Sequence, residues 1–549
     1  MSRQQSTLQS FPQDHAILSH PDEDHRHHID LIPSIADDND ILCHPVVIPI
    51  RRADSTVNTS EHTPLLQQDT SDPFIHETTD DDVNLTRPSE QVPSAQMFRE
   101  ELGILTCYSL PVFAAQIFEH SFLLASTMCI GHISTVALAA ATLGMMTASV
   151  TGYSIVRGFA STLDTLLPPA WTSDTPHMVG LWTQRVAVMS VFGLVPILAI
   201  WFNAEPIFLF LKQDPEVAHL AAVYLKYASL GLPAYSFIGI SRRYFQCQRL
   251  FSVPARITIV IAPLNAFLNW FFVYPLGLSF RGAPLATALS FNLVLLASIL
   301  YAYYFVPRTA WTPLGRDVWH NWGILGRLGI AGIVQTASAW WTWELIGLAA
   351  SFLGPVSLAA QSVLLLSASF TFQAPFALGA ATSIRIGNLL GEGRARRAGV
   401  VAPASIAIAV AVGCVWCTMF LVFRTKWAYL FNDDPEVVSI VASVLPITAL
   451  SQMFDGMNNV GGGVLRARGM QVAGAWLNLG AYYILGIPFG ITLTFYFGFR
   501  LAGLWIGLVA ALIYSSIISV WIGVIRADWE VEVKKARERV KGQATEEPH

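Results

Sequence analysis

Asp214-Pro215-Glu216-Val217 recurs as Asp434-Pro435-Glu436-Val437, roughly 220 residues further along the chain. Outward from these two quartets the same offset holds over almost all of the apolar sequence. Val136-Ala137-Leu138-Ala139-Ala140 answers to Val356-Ser357-Leu358-Ala359-Ala360, and Gly158 through Thr162 answers to Gly379 through Ser383. Arg281-Gly282-Ala283-Pro284-Leu285 likewise answers to Arg500-Leu501-Ala502-Gly503-Leu504. A period this long is too large for a solenoid unit and describes two whole bundles joined in one chain.

The duplicated region is apolar. Hydrophobic residues make up 53% of the chain against 13% charged, even though the first hundred residues are polar. Stretches near the length needed to cross hydrocarbon run at about 104–129, 136–163, 186–202, 219–240, 257–275 and 284–306. They resume at about 328–352, 357–383, 398–423, 437–460, 471–497 and 501–525. The expected fold is an all-α polytopic membrane protein with twelve transmembrane helices, six in each of two bundles.

An even number of spans returns each half to its starting side, so the copies are parallel repeats related by an axis along the membrane normal. Arg242, Arg243, Arg249 and Arg256 fall in one predicted loop, Arg308, Arg316 and Arg327 in the next but one, then Arg385, Arg394, Arg396 and Arg397, then Arg466 and Arg468. The alternate loops hold only Lys212, Lys226, Arg281, Arg424, Lys426 and Arg500. The positive-inside bias makes both termini cytosolic and puts both Asp-Pro-Glu-Val quartets on the far side. The expected divisions are an acidic cytosolic tail over 1–97, bundles over 98–310 and 328–526, a cytosolic linker over 311–327, and a charged cytosolic tail over 527–549.

The N-terminal tail is rich in Asp, Ser, Thr, His and Pro and cannot bury enough apolar surface to order itself. It opens with no apolar h-region, so no cleaved signal peptide is expected. Within it Glu61-His62-Thr63-Pro64-Leu65-Leu66 resembles acidic dileucine signals, in which Glu61, Leu65 and Leu66 are read by adaptor complexes that sort membrane proteins to vacuoles. A vacuolar membrane is therefore favoured over the plasma membrane. The sequence offers no phosphate cradle, nucleophile elbow or nucleic-acid surface, and Cys414-Val415-Trp416-Cys417 sits in an apolar span with no His at ligand spacing. We expect no enzyme activity, cofactor, metal or nucleic-acid partner, and a monomer.

A charge at the bilayer centre costs roughly 3 kcal/mol on insertion scales and survives where it faces a cavity or a partner. Glu119 beside His120, Arg157, Glu344 and Asp455 all lie within apolar spans. Glu344 ends the aromatic stretch Trp340-Trp341-Thr342-Trp343, and Asp455 precedes Gly456 and Gly461-Gly462-Gly463.

These residues carry a resemblance. Trp340-Trp341 with Glu344, Phe454-Asp455-Gly456 followed by Gly463-Val464-Leu465-Arg466, Gly474 through Tyr483 with Gly486-Ile487-Pro488, and Arg385 with Gly387 through Gly391 resemble motifs of the eukaryotic, fungal-like branch of the multidrug and toxic compound extrusion (MATE) transporters. Ala160 through Leu166 and Gly282 through Ala288 fit as well, and the likeness covers about 100–525. It implies two bundles around a central cleft, alternating access, and export of small organic, often cationic, compounds across a lipid bilayer in exchange for H+ or Na+. By the same resemblance Glu344 and Asp455 match the acidic coupling residues of the seventh and tenth helices, and Asn478 and Tyr482 match polar cavity residues of the eleventh. Trp340, Trp341, Trp343 and Tyr482 would hold a cation by their ring faces.

The chain departs from the family pattern at three places. Leu167-Pro168-Pro169-Ala170-Trp171 replaces a Cys-Gly/Ser/Pro-Gln-Ala segment, so the cytosolic end of the second span is expected to be reshaped. Ala339 stands where many relatives carry an extra Glu, and Arg157 where they carry small or apolar residues. At the repeat offset Glu119 falls on Ala339, so Glu119 is expected to face the cleft as a third coupling residue, with His120 turned away. Asp164 and Arg385 occupy equivalent places in the two halves, and a cytosolic latch between them is expected. Two alternatives stay open: a flippase for lipid-linked substrates, and a non-transporting membrane protein whose tail serves sorting or interaction.

Overall fold

The repeated quartets are helix starts. Asp214 caps Pro215–Ala228, its carboxylate accepting from the Glu216 N–H at 2.9 Å and the Val217 N–H at 3.3 Å. Asp434 caps Pro435–Ala467 in the same way, accepting from the Glu436 N–H at 2.9 Å. Proline takes a first-turn position whose N–H would have no intrahelical partner, and glutamate suits the positive end of the helix dipole. A cap of this kind contributes about 1 kcal/mol.

The computed structural model describes residues 93 to 544, which form helices, turns and irregular segments with no strand among them. The dileucine-like Glu61, Leu65 and Leu66 lie outside the described residues. Among the described residues ten helices are long and apolar enough to cross a membrane: Ser94–Gly131, Thr135–Trp171, Met178–Phe202, Ser252–Val273, Ser279–Phe305, Pro355–Glu392, Ala395–Val422, Pro435–Ala467, Gln471–Tyr496 and Arg500–Ile525. The two further expected spans take other forms. The fourth is broken at Ser229-Leu230-Gly231 into Pro215–Ala228 and Leu232–Cys247, where Pro233 cannot donate to the ladder. The seventh, Trp322–Ser351, is continuous but carries Gln335, Ser338, Thr342 and Glu344 among its apolar residues. The chain is thus a twelve-span helical protein, and the spans are numbered 1 to 12 in chain order below.

Each half has its own core. Trp201, Ala221 and Leu225 centre one cluster, and Leu364, Leu445 and Trp505 another. The buried indoles are satisfied: Trp201 Nε1 donates to Thr151 Oγ1 at 2.9 Å, and Trp505 Nε1 to Gln361 Oε1 at 2.8 Å. Outside these cores Phe210, Phe305, Ile484 and Tyr496 are among many large apolar side chains left exposed. An apolar envelope of this extent is soluble in lipid and costly in water.

The principal contacts between the halves come from residues 149–171 of span 2 and from span 1, packed on spans 7 to 10, whereas the stretch of span 2 before residue 149 makes none of them. The halves therefore meet at the face where Ser94 begins and Trp529–Ala544 ends, and diverge toward the face of Asp214 and Asp434. That terminal face is sewn by side chains: Thr165 Oγ1 donates to the Arg466 carbonyl at 2.6 Å, Thr172 Oγ1 to the Asn388 carbonyl at 2.8 Å, and Gln471 Nε2 to the Ser161 carbonyl at 3.0 Å.

The break in span 2 does not lie at the proline pair, which sits inside a regular helix. The helix is interrupted at Ser161-Thr162 and restarts as Leu163–Trp171, with Pro168 and Pro169 buried against the glycines Gly387 and Gly391 of span 8. The corresponding part of span 8 runs unbroken to Glu392. The tail helix Trp529–Ala544 lies on the bundle, where Glu532 is buried and accepts from Arg468 Nη2 at 3.1 Å.

Spans 2 and 7 approach closely at Gly158. A methyl group there would lie 2.6 Å from the Ile333 Cα, and one at Gly332 would meet the Gly158 carbonyl. Gly158→Val should destabilise this closed arrangement by about 1 to 3 kcal/mol. A lower unfolding temperature of the purified protein in detergent checks this, and an unchanged one would mean that the seam has slack.

Candidate functional site

Between the diverging halves lies a cleft of about 400 Å³, within the range of small-molecule sites. Its two walls differ in chemistry. On the wall of the second half, one face of span 7 presents Trp340, Trp343 and Glu344, residues at helical spacings of three and four. Span 10 adds Asp455, and span 11 adds Asn478 and Tyr482.

Neither acid on this wall has a Lys or Arg partner among the described residues. Asp455 accepts from Asn459 Nδ2 at 3.2 Å, the same amide also reaching the Asp455 carbonyl at 2.9 Å. Glu344 is partly buried with no ion pair. Asn478 Nδ2 donates to the Gln335 carbonyl at 2.9 Å, which ties span 11 to span 7. Trp343 stands edge-on to Trp505 with ring centroids 5.6 Å apart.

Tyr482 lies in a widened π-type turn, Gly480–Gly486, and on the opposite wall Ser149–Tyr153 forms another. Such turns break the regular ladder and turn side chains toward a site. Ser149, Val150 and Tyr153 line the cleft there.

The wall of the first half is basic and paired. Glu119 lines the cleft between two guanidiniums, Arg157 Nη2 at 3.6 Å and Arg242, which is in closer contact. Arg157 Nη2 also donates to Tyr235 Oη at 3.0 Å. At the closed end Asp164 forms ion pairs with Arg243, whose Nε is 3.0 Å away, and with Arg466 of the second half, whose Nε is 3.3 Å away.

Several placements differ from the expectations. Trp341 is not part of the lining: neighbouring helix positions diverge by about 100 degrees, so it points away from Trp340, and its Nε1 donates to the Val150 carbonyl at 3.0 Å. His120 does line the cleft beside Glu119, because this wall spans adjacent faces of span 1.

The Asp164–Arg385 latch is not formed. Arg385 donates from Nε and Nη2 to Glu101 at 2.8 and 2.6 Å, and Asp164 is taken by Arg243 and Arg466. Closure instead uses other charges across the halves: Glu101 with Arg385 and Arg397, Asp164 with Arg466, and Arg249 with Glu392 at 2.5 Å.

Arg242, Arg243 and Arg466, loop residues by the positive-inside reading, all lie within helices. Helical spacing was the available signal, since Arg242 follows Tyr235 by seven residues and shares its face. No comparable signal marks Glu101, whose partner lies 284 residues away.

Known proteins resemble this chain over most of its length. The MatE family model matches residues 111–271 and again 332–492, two segments set apart by the repeat offset. An uncharacterized transporter of Schizosaccharomyces pombe is 33% identical over 496 residues, covering 89% of this chain and 92% of its own. Multidrug and toxin extrusion protein 1 of Danio rerio is 31% identical, covering 82% of this chain and 76% of its own. The crystal structure of the eukaryotic MATE transporter AtDTX14 superposes with a TM-score of 0.77 at 29% identity, covering 81% of this chain and all of that one.

Proposed function

This chain belongs to the MatE family, and from that premise we propose that it is a secondary antiporter that moves small organic compounds out of the cytosol in exchange for H+ or Na+. Its terminal face is the cytosolic one in this reading, and the vacuolar membrane is favoured over the plasma membrane. The observation that carries the reading is the pair of acids, Glu344 and Asp455, which line the cleft with no Lys or Arg partner among the described residues.

An unneutralised carboxylate in a low-dielectric cleft must find its counter-charge elsewhere. A proton, a sodium ion or a cationic substrate supplies it, and these compete for one place. The rings of Trp340, Trp343 and Tyr482 beside the acids add attraction for an organic cation, about 1 to 2 kcal/mol each when desolvated. Occupation by the coupling ion or by substrate therefore excludes the other, which is the minimal requirement of exchange. Glu119 already holds two guanidiniums, so it acts as an anchor for Arg157 and Arg242 rather than as a third coupling site.

The test is a displacement measurement on purified protein in weakly buffered detergent solution. Addition of a cationic dye should release protons, or bound sodium, and the release should vanish in a Glu344→Gln, Asp455→Asn double variant. Dye binding with no release of either ion would contradict competition.

A further inference from the structure

We propose that the cleft carries a second subsite, centred on Arg157, that binds a carboxylate of the transported compound. The inference rests on the cleft being the transport site. It adds a substrate class, aromatic compounds that bear an acidic group, which the unneutralised acids of the opposite wall do not call for.

Charge balance is the first ground. Two carboxylates on the basic side, Glu119 and Asp164, face four guanidiniums, Arg157, Arg242, Arg243 and Arg466. Arg466 reaches in from the second half, so the wall of the first half itself carries one more guanidinium than carboxylates among the described residues, and His120, neutral or charged, does not reduce the surplus. A cation kept in a cleft between membrane spans without a full counter-charge is costly unless a ligand supplies one.

Geometry selects Arg157 among the four. Arg242 is in direct contact with Glu119, and Arg243 and Arg466 share Asp164, whereas Arg157 is the more distant partner of Glu119 at 3.6 Å. Its contacts with Tyr235 and Glu119 are both made by Nη2. The rest of the guanidinium fork remains, and a carboxylate fits that fork by two parallel hydrogen bonds.

The surroundings fix what the carboxylate is attached to. The Arg157 guanidinium lies between the rings of Trp340, at 5.5 Å, and Phe376, at 5.2 Å, both from the opposite half. Aromatic surface thus adjoins the charge, and Glu344 follows Trp340 by one helical turn on the same face. A compound with a carboxylate on Arg157, a ring against Trp340 and a basic nitrogen toward Glu344 would satisfy all three groups at once. It would also bridge the two halves.

The experiment compares rhodamine B, which has a free carboxylate, with its ethyl ester, which has the same ring system and no acid. Binding of each to the purified full-length protein is read by fluorescence anisotropy. The acid should bind more tightly than the ester to the unaltered protein. Arg157→Met should lower the affinity for the acid by about tenfold or more, the scale of a lost charge-assisted pair, and leave that for the ester nearly unchanged. Arg157→Lys should retain part of the preference. Glu119 keeps Arg242 as its partner in both variants, so folding is preserved, and the ester serves as the control for an intact cleft.

The proposal is overturned if the ester binds as well as the acid to the unaltered protein, or if Arg157→Met leaves their ratio as it was. Preference for the ester would sink the carboxylate subsite and leave export of organic cations standing. Failure of both dyes to bind the unaltered protein would sink the subsite and the transport reading together.

Discussion

Asp455→Asn and Glu344→Gln should each reduce accumulation of a cationic substrate against its gradient to background. Alternating exchange works only if the coupling ion and the substrate bind the two conformations with different affinity, since a ligand without such a difference shifts nothing. Removing the charge removes what the ion binds. Asparagine and glutamine keep the shape of the acids, and neither carboxylate holds an ion pair that the change would break, so folding should survive. Downhill leakage of substrate should persist, because the aromatic wall of Trp340, Trp343 and Tyr482 is untouched. The check is vesicle uptake under an imposed gradient with a thermal melt of the same preparation. Full accumulation by either variant would remove that acid from the coupling role.

Glu101→Ala should open the terminal face. Glu101 is fully buried, and both Arg385 and Arg397 donate to it from the other half. Arg397 retains Glu100 at 3.0 Å, but Arg385, only 6% exposed, loses the counter-charge in contact with it. Breaking a buried pair by removing one partner costs about 3 to 5 kcal/mol. Part of that cost is avoided if the halves separate here and admit water to the guanidinium. A shift of this size changes a two-state population by about a hundredfold or more. Paired spin labels on spans 2 and 8 at this face should report a longer mean distance than in the unaltered protein. A distance distribution that does not change would show that the ion pair is dispensable for closure.

Much of the architecture was legible in the sequence because it depends on local rules. The Asp-Pro-Glu-Val quartets mark both the duplication and two helix starts, and uninterrupted apolar stretches near the bilayer thickness mark most of the spans. Glu344 and Asp455 stood out because a charge amid apolar residues needs a reason.

What was illegible depends on partners brought together by folding. The positive-inside bias treats every arginine near a span end alike and so puts Arg242 and Arg243 in a loop; helical spacing ties Arg242 to the face of Tyr235, but nothing local reveals that the partners are Glu119 and Asp164. The latch from Asp164 to Arg385 failed for a related reason. Repeat symmetry relates positions, but each carboxylate pairs with the guanidinium that packing brings nearest. Trp341 is adjacent in sequence to two cleft tryptophans but not in space, because a helix turns it away from Trp340 and Trp343.

The central claim is that ion entry drives substrate movement through this cleft, and gradient-driven transport in proteoliposomes of the purified protein tests it most directly. With a cationic dye on the cytosolic side and no other energy source, a proton or sodium gradient imposed from the opposite side should drive dye out against its own gradient. Collapse of the gradient by an ionophore should stop it, and the Glu344→Gln, Asp455→Asn double variant should not support it. Dye movement that merely equilibrates, at the same rate with either ion gradient and with none, would contradict coupled antiport.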